Sequence, residues 1–247
     1  MLWVGTSWKM NKTLAEARDY ATRLADAMSD GAPAGVQPFI IPPATATTTV
    51  REILGPDSPV ELGVQNAHWA DAGAWTGEIS VPQAADAGAT LVEIGHSERR
   101  EFFAETDETV NLKVQATLRH GLRPLLCVGE PAEVFADGES VGYILAQVAA
   151  ALKGIDDVSR VLIAYEPIWA IGEGGREARP EDIEAVFAAL DGPYGDRVEA
   201  ILYGGSVNQG NAAETLRVKG VDGLFVGRSA WDIDGYLQLL EIAAAHA

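Results

Sequence analysis

Three ionisable residues follow short apolar segments of the chain: Lys9, His96 and Glu166. His96 precedes a predicted helix start at Ser97, and the partial positive charge at a helix N-terminus disfavours a protonated imidazole. We therefore expect a neutral His96 that donates a hydrogen bond, although a histidine that only caps the helix would give the same pattern. Together, side chains of these three types could polarise an oxygen atom and move a proton.

Glu166 lies between Tyr165 and Pro167, and a proline restricts the backbone of the residue before it. A carboxylate held in this way beside apolar residues becomes a stronger base when water is excluded. The alternative is a structural carboxylate that pairs with a nearby arginine. Lys9 could supply a fixed positive charge for a phosphate or for an oxygen that gains charge, or it could be an ordinary solvated lysine.

Glycine-rich segments could complete a site for an anion. Gly204-Gly205-Ser206-Val207 and Gly227-Arg228 each follow an apolar run, and glycine lets backbone N–H groups approach a phosphate closely. A further segment begins with proline and an aromatic residue and ends in glycines, which is typical of a lid that closes over a substrate. Tight turns and an ordinary surface loop are the structural alternatives. The predicted lid comprises Pro167, Ile168, Trp169, Ala170, Ile171, Gly172, Glu173, Gly174 and Gly175.

These residues are spaced along an alternation of strand and helix patterns. Eight short runs are almost continuously apolar, as strands buried on both faces are. Between them, apolar residues recur at helical spacing, as at Leu14, Ala17, Ala21, Leu24 and Met28. Eight such units indicate one α/β domain, residues 1–247, folded as a (β/α)8 barrel, with a doubly wound open sheet as the alternative. The predicted strands are Leu2–Ser7, Phe39–Ile41, Val60–Gln65, Thr90–Ile94, Pro124–Val128, Val161–Tyr165, Ala200–Tyr203 and Gly223–Val226.

A barrel would bring the reactive residues together, because active sites of this architecture lie at the carboxyl ends of the strands. We therefore expect a lysine, a histidine and several carboxylates to meet at one mouth, beside the glycine-rich turns. The residues at the ends of the predicted strands include Ser7, Lys9, Gln65, Asn66, His96, Glu98, Glu130, Glu166, Ser206 and Arg228.

Composition narrows the class of ligand. The chain of 247 residues has 18 Lys and Arg against 36 Asp and Glu, a net charge of −18, which disfavours nucleic acids and anionic membranes as partners. No apolar run approaches the roughly 18 residues needed to span a bilayer. The single cysteine, Cys127, suits a reducing compartment, and the N-terminus lacks a signal-peptide pattern, so we expect a cytoplasmic protein.

Taken together, these segments resemble the triosephosphate isomerase family. The matching motifs occur in the family's order, so the resemblance extends over nearly the whole chain. The histidine motif and the Tyr-Glu-Pro motif with its lid are specific in combination. The motifs are Trp8-Lys9-Met10-Asn11, Gln65-Asn66, Gly73-Ala74-Trp75-Thr76-Gly77-Glu78, Gly95-His96-Ser97-Glu98-Arg99-Arg100, Ala164-Tyr165-Glu166-Pro167, Trp169-Ala170-Ile171-Gly172, Tyr203-Gly204-Gly205-Ser206-Val207 and Gly223-Leu224-Phe225-Val226-Gly227.

The resemblance implies a cofactor-independent isomerase of the aldose–ketose type, without a metal ion, that acts on a small phosphorylated sugar. A glutamate base and a neutral histidine are an established pair in this family. They imply that Glu166 moves a proton through an enediolate and that His96 polarises the carbonyl. Lys9 would neutralise the anionic substrate, and Glu98 is a further catalytic candidate. The implied phosphate-binding residues are Gly172, Ser206 and Gly227, and the implied homodimer loop includes Asn66, Trp75 and Thr76.

Three positions depart from the family's pattern. Ser7 replaces an asparagine, Arg228 replaces the second of two glycines, and the lid tip reads Glu173-Gly174-Gly175-Arg176 instead of Thr-Gly-Lys. Changes at Ser7 and Arg228, both expected to bind substrate, imply an altered substrate shape. The segments at 5–13, 68–71 and 227–231 resemble the erythrulose-phosphate isomerase branch, whose substrate has one hydroxymethyl group more than dihydroxyacetone phosphate.

The resemblance therefore favours conversion of L-erythrulose 1-phosphate to D-erythrulose 4-phosphate. The alternative is a glycolytic triosephosphate isomerase, which interconverts dihydroxyacetone phosphate and glyceraldehyde 3-phosphate, because one methylene-sized group changes discrimination by only about 1–3 kcal/mol. A lyase of the indole-glycerol-phosphate synthase type and a non-catalytic phosphate-binding barrel are remote alternatives. Neither has a reason to combine Lys9, His96 and Glu166 in these motifs.

Overall fold

The computed structural model describes residues 1–172 and 175–247, so Glu173 and Gly174 of the predicted lid lie outside the described residues. Within these ranges, eight parallel strands follow one another in sequence order, and the first pairs with the last to close a barrel. The predicted (β/α)8 barrel is confirmed and the open-sheet alternative is wrong. The strands are β1 (Leu2–Ser7), β2 (Val36–Ile41), β3 (Glu61–Val64), β4 (Leu91–Ile94), β5 (Arg123–Val128), β6 (Leu162–Tyr165), β7 (Ala200–Tyr203) and β8 (Gly223–Val226).

The strand limits differ from the predicted limits by up to three residues. The largest difference is in β2, which begins at Val36 and not at Phe39. Gln37 and Pro38 interrupt the apolar run in the sequence, but both residues stay in register with β1, where Val4 pairs with Pro38. Apolar runs therefore locate the strands well, whereas backbone pairing decides where each strand begins.

Helices surround the barrel, and most of them bury one face. In the first helix, Thr13 and Glu16 form a reciprocal capping box that satisfies two backbone N–H groups. Its buried residues include Ala17 and Leu24 as predicted, but Leu14 is 48% exposed because neighbouring elements do not cover the first turn. The α-helices in the described residues are α1 (Leu14–Ala27), α2 (Thr47–Leu54), α3 (Val81–Asp86), α4 (Ser97–Phe102), α5 (Asp107–Arg119), α6 (Ala132–Ala136), α7 (Ser140–Ala151), α8 (Pro180–Tyr194), α9 (Ala212–Thr215) and α10 (Ile233–Ala244).

The interior of the barrel is apolar at one end and polar at the other. Large side chains such as Trp3, Phe39 and Leu91 form an inner cluster that is separate from the cluster between strands and helices. Because side chains alternate along a strand, residues two or four positions further on also face inward. On this basis Ser7 of β1 and Glu93 of β4 lie on the inner face, towards the carboxyl end of the barrel.

None of the helices in the part of the chain that the structure describes is both long enough and apolar enough to cross a membrane.

Candidate active site

His96 immediately precedes α4 and is buried at the mouth of the barrel. The backbone N–H of Glu98 donates a hydrogen bond of 3.1 Å to Nδ1 of His96, which assigns the proton of the neutral ring to Nε2. Burial, and after it the positive charge of Lys9, lowers the pKa of His96 to about 4. The two interpretations of His96, a helix cap and a neutral hydrogen-bond donor, are therefore compatible in one geometry.

Glu166 follows β6 and is 5% exposed. Its Oε2 lies 3.8 Å from Nε2 of His96 and has no hydrogen-bond partner among the described residues. Burial, and after it the negative charge of Glu93, raises the pKa of Glu166 to about 8. An ion pair between Glu166 and an arginine, the structural alternative, does not occur in the described ranges.

The backbone around Glu166 makes room for its side chain. A Cβ atom at Gly204 would lie 2.6 Å from Cγ of Glu166, and one at Gly129 would lie 2.0 Å from the Glu166 carbonyl oxygen. Glycine at these two positions is therefore required by close approach. The resulting arrangement places a strong carboxylate base and a neutral N–H donor against the same space, as proton abstraction next to a carbonyl requires.

Lys9 is paired and only partly exposed. Its Nζ donates a hydrogen bond of 2.7 Å to Oε1 of Glu98. Burial would lower the pKa of Lys9, but the hydrogen bond to Glu98 and the charge of Glu166 raise it above its ordinary value. Lys9 is thus a fixed cation at the mouth and not a freely solvated lysine, and Glu98 is the residue that holds it there.

Glu93 is a candidate that the sequence analysis missed. It is buried on the inner face of β4, and its Oε2 lacks a hydrogen-bond partner within residues 1–172 and 175–247. Burial raises the pKa of Glu93 to about 7, and the neighbouring Ser7 hydroxyl and Lys9 ammonium offset only part of this effect. The signal in the sequence is one acidic residue inside the apolar strand Leu91–Ile94.

The predicted phosphate-binding residues lie together. A cavity of about 580 Å³ is lined by Gly172, Ser206, Gly227 and Arg228, and also by Lys9, His96 and Glu166. Ser206 Oγ donates a hydrogen bond of 2.5 Å to the carbonyl oxygen of Ala170, and Arg228 Nη2 donates one of 3.0 Å to that of Gly172. The Arg228 side chain therefore points to Gly172 of the predicted lid, and it pairs with no acidic side chain of residues 1–172 and 175–247.

The first residues of the predicted lid are held by a buried carboxylate. Ile168–Ala170 forms a short 3-10 helix directly after Pro167. Oε1 of Glu130 accepts hydrogen bonds from Trp169 Nε1 at 2.8 Å and from the Tyr165 hydroxyl at 3.0 Å. Glu130 was predicted only as a residue at the end of a strand, and its anchoring role follows from these two hydrogen bonds.

The residues of the predicted dimer loop separate into two environments. Oδ1 of Asn66 accepts a hydrogen bond of 2.7 Å from Nζ of Lys113, which is buried. Trp75, in contrast, is 51% exposed, and Thr76 is exposed beside it. Asn66 thus belongs to an internal network, whereas Trp75 and Thr76 are available at the surface of the single chain.

Comparison with known proteins identifies the family of the chain. A sequence model of triosephosphate isomerase matches residues 2–243. The chain is 62% identical to an L-erythrulose-1-phosphate isomerase of Mycolicibacterium smegmatis over 247 residues, which cover 99% of this chain and 94% of that relative. It is 50% identical to the protein of the same name from Mesorhizobium japonicum, over 98% of this chain and 97% of the relative. For the Rhizobium rhizogenes protein of that name, the identity is 49%, over 98% and 95% of the two chains. The chain therefore belongs to the triosephosphate isomerase family.

Proposed function

We propose that this protein interconverts L-erythrulose 1-phosphate and D-erythrulose 4-phosphate. The observation that carries the type of reaction is the distance of 3.8 Å between Nε2 of His96 and Oε2 of Glu166, with the pKa of the histidine lowered and that of the carboxyl group raised. The identity of the sugar is supported by the names of relatives that are between 49% and 62% identical. The serine at Ser7, where the wider family has asparagine, is consistent with a larger substrate.

The reaction is an internal proton transfer. The Glu166 carboxylate takes the proton from C3 of L-erythrulose 1-phosphate, the electrons of that C–H bond form the C2=C3 double bond, and the carbonyl oxygen on C2 gains the negative charge. Nε2–H of His96 and the ammonium of Lys9 stabilise that charge. Glu166 then returns its proton to C2, and the proton of the C3 hydroxyl passes to the oxygen on C2. The ketone is now at C3, which is C2 of D-erythrulose 4-phosphate.

The phosphate would lie at the opposite end of the cavity from this chemistry. Backbone N–H groups of Gly172, Ser206 and Gly227 can bind it there. The guanidinium of Arg228 adds positive charge close to the same place. This local potential offsets the net charge of −18, which would otherwise repel an anionic sugar.

The second candidate is a glycolytic triosephosphate isomerase, because Lys9, His96 and Glu166 would perform the same steps on dihydroxyacetone phosphate. A lyase has no use for this proton-transfer pair. A protein that only binds phosphate would gain nothing from a carboxylate facing an anionic ligand. The choice of substrate is therefore the main alternative to be tested.

The test compares kcat/KM of the purified protein on L-erythrulose 1-phosphate and on glyceraldehyde 3-phosphate. We expect a preference for the tetrulose of about 10- to 200-fold, the range that one methylene-sized group usually gives. The matched variant is Ser7→Asn, which should move the ratio towards the triose. A preference of the unmodified protein for the triose would contradict the proposal, and binding without turnover of either sugar would point to a non-catalytic protein.

We also propose that the protein is a homodimer of one-domain chains in the cytoplasm. Exposed apolar side chains support the dimer, because such surfaces usually mark interfaces. They are Met10, Trp75, Phe102 and Phe103. We expect a sedimentation measurement to give twice the mass of one chain, and a mass of one chain would contradict the dimer.

The proposed cytoplasmic location is supported by the lone Cys127, which suits a reducing compartment. Fluorescence microscopy of the tagged protein in its own cell would check the location.

A further inference from the structure

Two buried polar side chains at the mouth are not used by the chemistry described above. Ser7 and Glu93 are each 3% exposed. The Ser7 hydroxyl lies beside the Glu93 carboxyl group and lowers its pKa, but Ser7 Oγ and Glu93 Oε2 have no other hydrogen-bond partner in the part of the chain that the structure describes. A buried carboxyl group has more bonding capacity than one hydroxyl satisfies, so this pair indicates a further partner supplied by a ligand.

The position of these side chains indicates which part of a ligand they would meet. Besides the phosphate-side cavity, a second cavity of about 410 Å³ opens at the mouth. Its inner end is lined by Glu93 and Gln65, and its outer end by Met10 and Phe103 of the proposed dimer surface. Ser7, Lys9 and His96 line both cavities. The reacting groups thus separate the phosphate end from Glu93, and a substrate extended away from its phosphate would grow towards Glu93.

We propose that Ser7 and Glu93 form a subsite that hydrogen-bonds the terminal hydroxyl group of the substrate, at the end furthest from the phosphate, and thereby selects four-carbon over three-carbon sugar phosphates. This inference rests on the proposed function and names the residues that determine its specificity. A hydroxyl at that end donates to a carboxyl oxygen of Glu93, and the small side chain of Ser7 leaves room for the extra carbon.

The selection follows from what a shorter substrate leaves behind. A triose phosphate has no fourth carbon, so Ser7 and Glu93 would stay buried with only each other as partners while it is bound. Sites that hydrogen-bond a substrate hydroxyl discriminate strongly against analogues that lack it for this reason. The fold of the empty protein should be less stable for the same reason, because a buried carboxyl group with an unpaired oxygen is destabilising.

A purely electrostatic role of Glu93 makes a different prediction. Its negative charge contributes to the raised pKa of Glu166, the proposed base. If that were its only function, a change at Glu93 would alter turnover of both sugars by the same factor. The ratio between the two sugars is therefore the informative quantity.

The experiment compares Glu93→Val, which has a similar volume but no polar atom, with Glu93→Gln, which keeps a hydrogen-bonding group. We expect Glu93→Val to reduce kcat/KM for L-erythrulose 1-phosphate about 10- to 100-fold more than for glyceraldehyde 3-phosphate. Glu93→Gln should keep most of the ratio. Inhibition by erythritol 4-phosphate and glycerol 3-phosphate, two probes that do not react, should show the same loss of preference in Glu93→Val alone.

An equal loss for both sugars, or an unchanged preference between the two probes, would overturn the subsite. This outcome is separate from failure of the proposed function, which is judged from the ratio of the unmodified protein. Glu93→Val should also melt at a higher temperature than the unmodified protein, because it removes an unpaired buried carboxyl group. Should this variant not fold, the ratio for Ser7→Ala decides in the same way.

Discussion

Two buried carboxylates on either side of His96 along the chain, Glu105 and Glu93, differ in what surrounds them. Glu105 accepts hydrogen bonds from the backbone N–H of Gly95 at 2.9 Å, from Nε of Arg99 at 2.7 Å and from Nζ of Lys113 at 2.8 Å. Burial would raise the pKa of Glu105, but Lys113 and Arg99 together hold it below its ordinary value. This carboxylate is ionised, fully paired and fixed.

Glu93 and Glu166 each have one oxygen atom without a hydrogen-bond partner in the described ranges. Burial raises the pKa of both groups. The comparison shows that burial alone does not determine what a carboxylate does. Where cations and N–H groups surround it, as at Glu105, it anchors the segment that carries His96. Where they do not, as at Glu166 and Glu93, the carboxyl group keeps bonding capacity at a cost in stability, and we propose that the substrate uses this capacity.

The largest expected effect is that of a change at Glu166, one of the two carboxyl groups that have an unpaired oxygen atom. In Glu166→Gln the amide cannot accept the proton from carbon, so we expect kcat to fall by up to about 10⁴-fold. Thermal unfolding should show a stability equal to or above that of the unmodified protein, since an unpaired buried carboxyl group is removed. Near-normal turnover would exclude Glu166 as the base, and a large loss of stability would contradict its description as unpaired.

A change beside Glu105, the fully paired carboxylate, should instead lower the stability of the fold. Lys113→Met leaves the charge of Glu105 buried with one cation fewer, and breaking a buried pair of this kind typically costs about 3–5 kcal/mol. Urea unfolding would measure the loss. The control is the double variant Glu105→Leu with Lys113→Met, which removes both charges and should recover part of the stability. A single variant as stable as the unmodified protein would show that the network does not anchor the fold.

The smallest effect concerns pH. In the free protein, kcat/KM should rise with pH as Glu166, with its pKa of about 8, loses its proton. Glu93→Gln removes a neighbouring negative charge, so this rise should move to lower pH. This shift of the pH profile should be smaller than the whole rise of the Glu166 pKa from 4.5 to about 8, because burial, the larger cause of that rise, remains. The second ionisation of the substrate phosphate, near pH 6, is common to both proteins and cancels in the comparison.

Stability should depend on pH with a sign that can be worked out. Between pH 6.5 and 8, the folded protein binds more protons at Glu166 and Glu93 than the unfolded chain does. The contribution of these two groups to the free energy of unfolding therefore falls as the pH rises. The lowered pKa of His96 acts in the opposite direction, but only between about pH 4 and 6.5. Chemical unfolding at pH 6.5 and 8 should show a smaller decrease in the free energy of unfolding for Glu93→Gln than for the unmodified protein. An equal decrease in the two proteins would mean that Glu93 does not titrate in this range.

The sequence predicted the barrel because its strands are buried on both faces and therefore appear as apolar runs. It also placed Lys9, His96 and Glu166 at one mouth, since the carboxyl ends of parallel strands meet there. Glu93 was missed because one acidic residue in an apolar run does not reveal which face it occupies. The inward position of Leu91, two residues earlier, decides this, and that fact belongs to the folded barrel.

Other features depend on contacts between segments that are distant in the chain. The direction of Arg228 is set by the carbonyl oxygen of Gly172, and the anchoring role of Glu130 by Trp169. Asn66 and Trp75 belong to neighbouring motifs, yet one faces an internal lysine and the other solvent. No local pattern contains this information, because each partner is supplied by the tertiary fold.

The single cysteine of the chain has a consequence of its own. Cys127 is buried on β5, in register with Ala164 of β6, and burial raises the pKa of its thiol well above the ordinary value. A thiol-specific reagent can reach it only when the wall beneath the proposed base opens transiently. The rate at which Cys127 is labelled therefore measures how often the barrel opens locally at β5, and no engineered cysteine is needed. A ligand bound at the mouth should lower this rate.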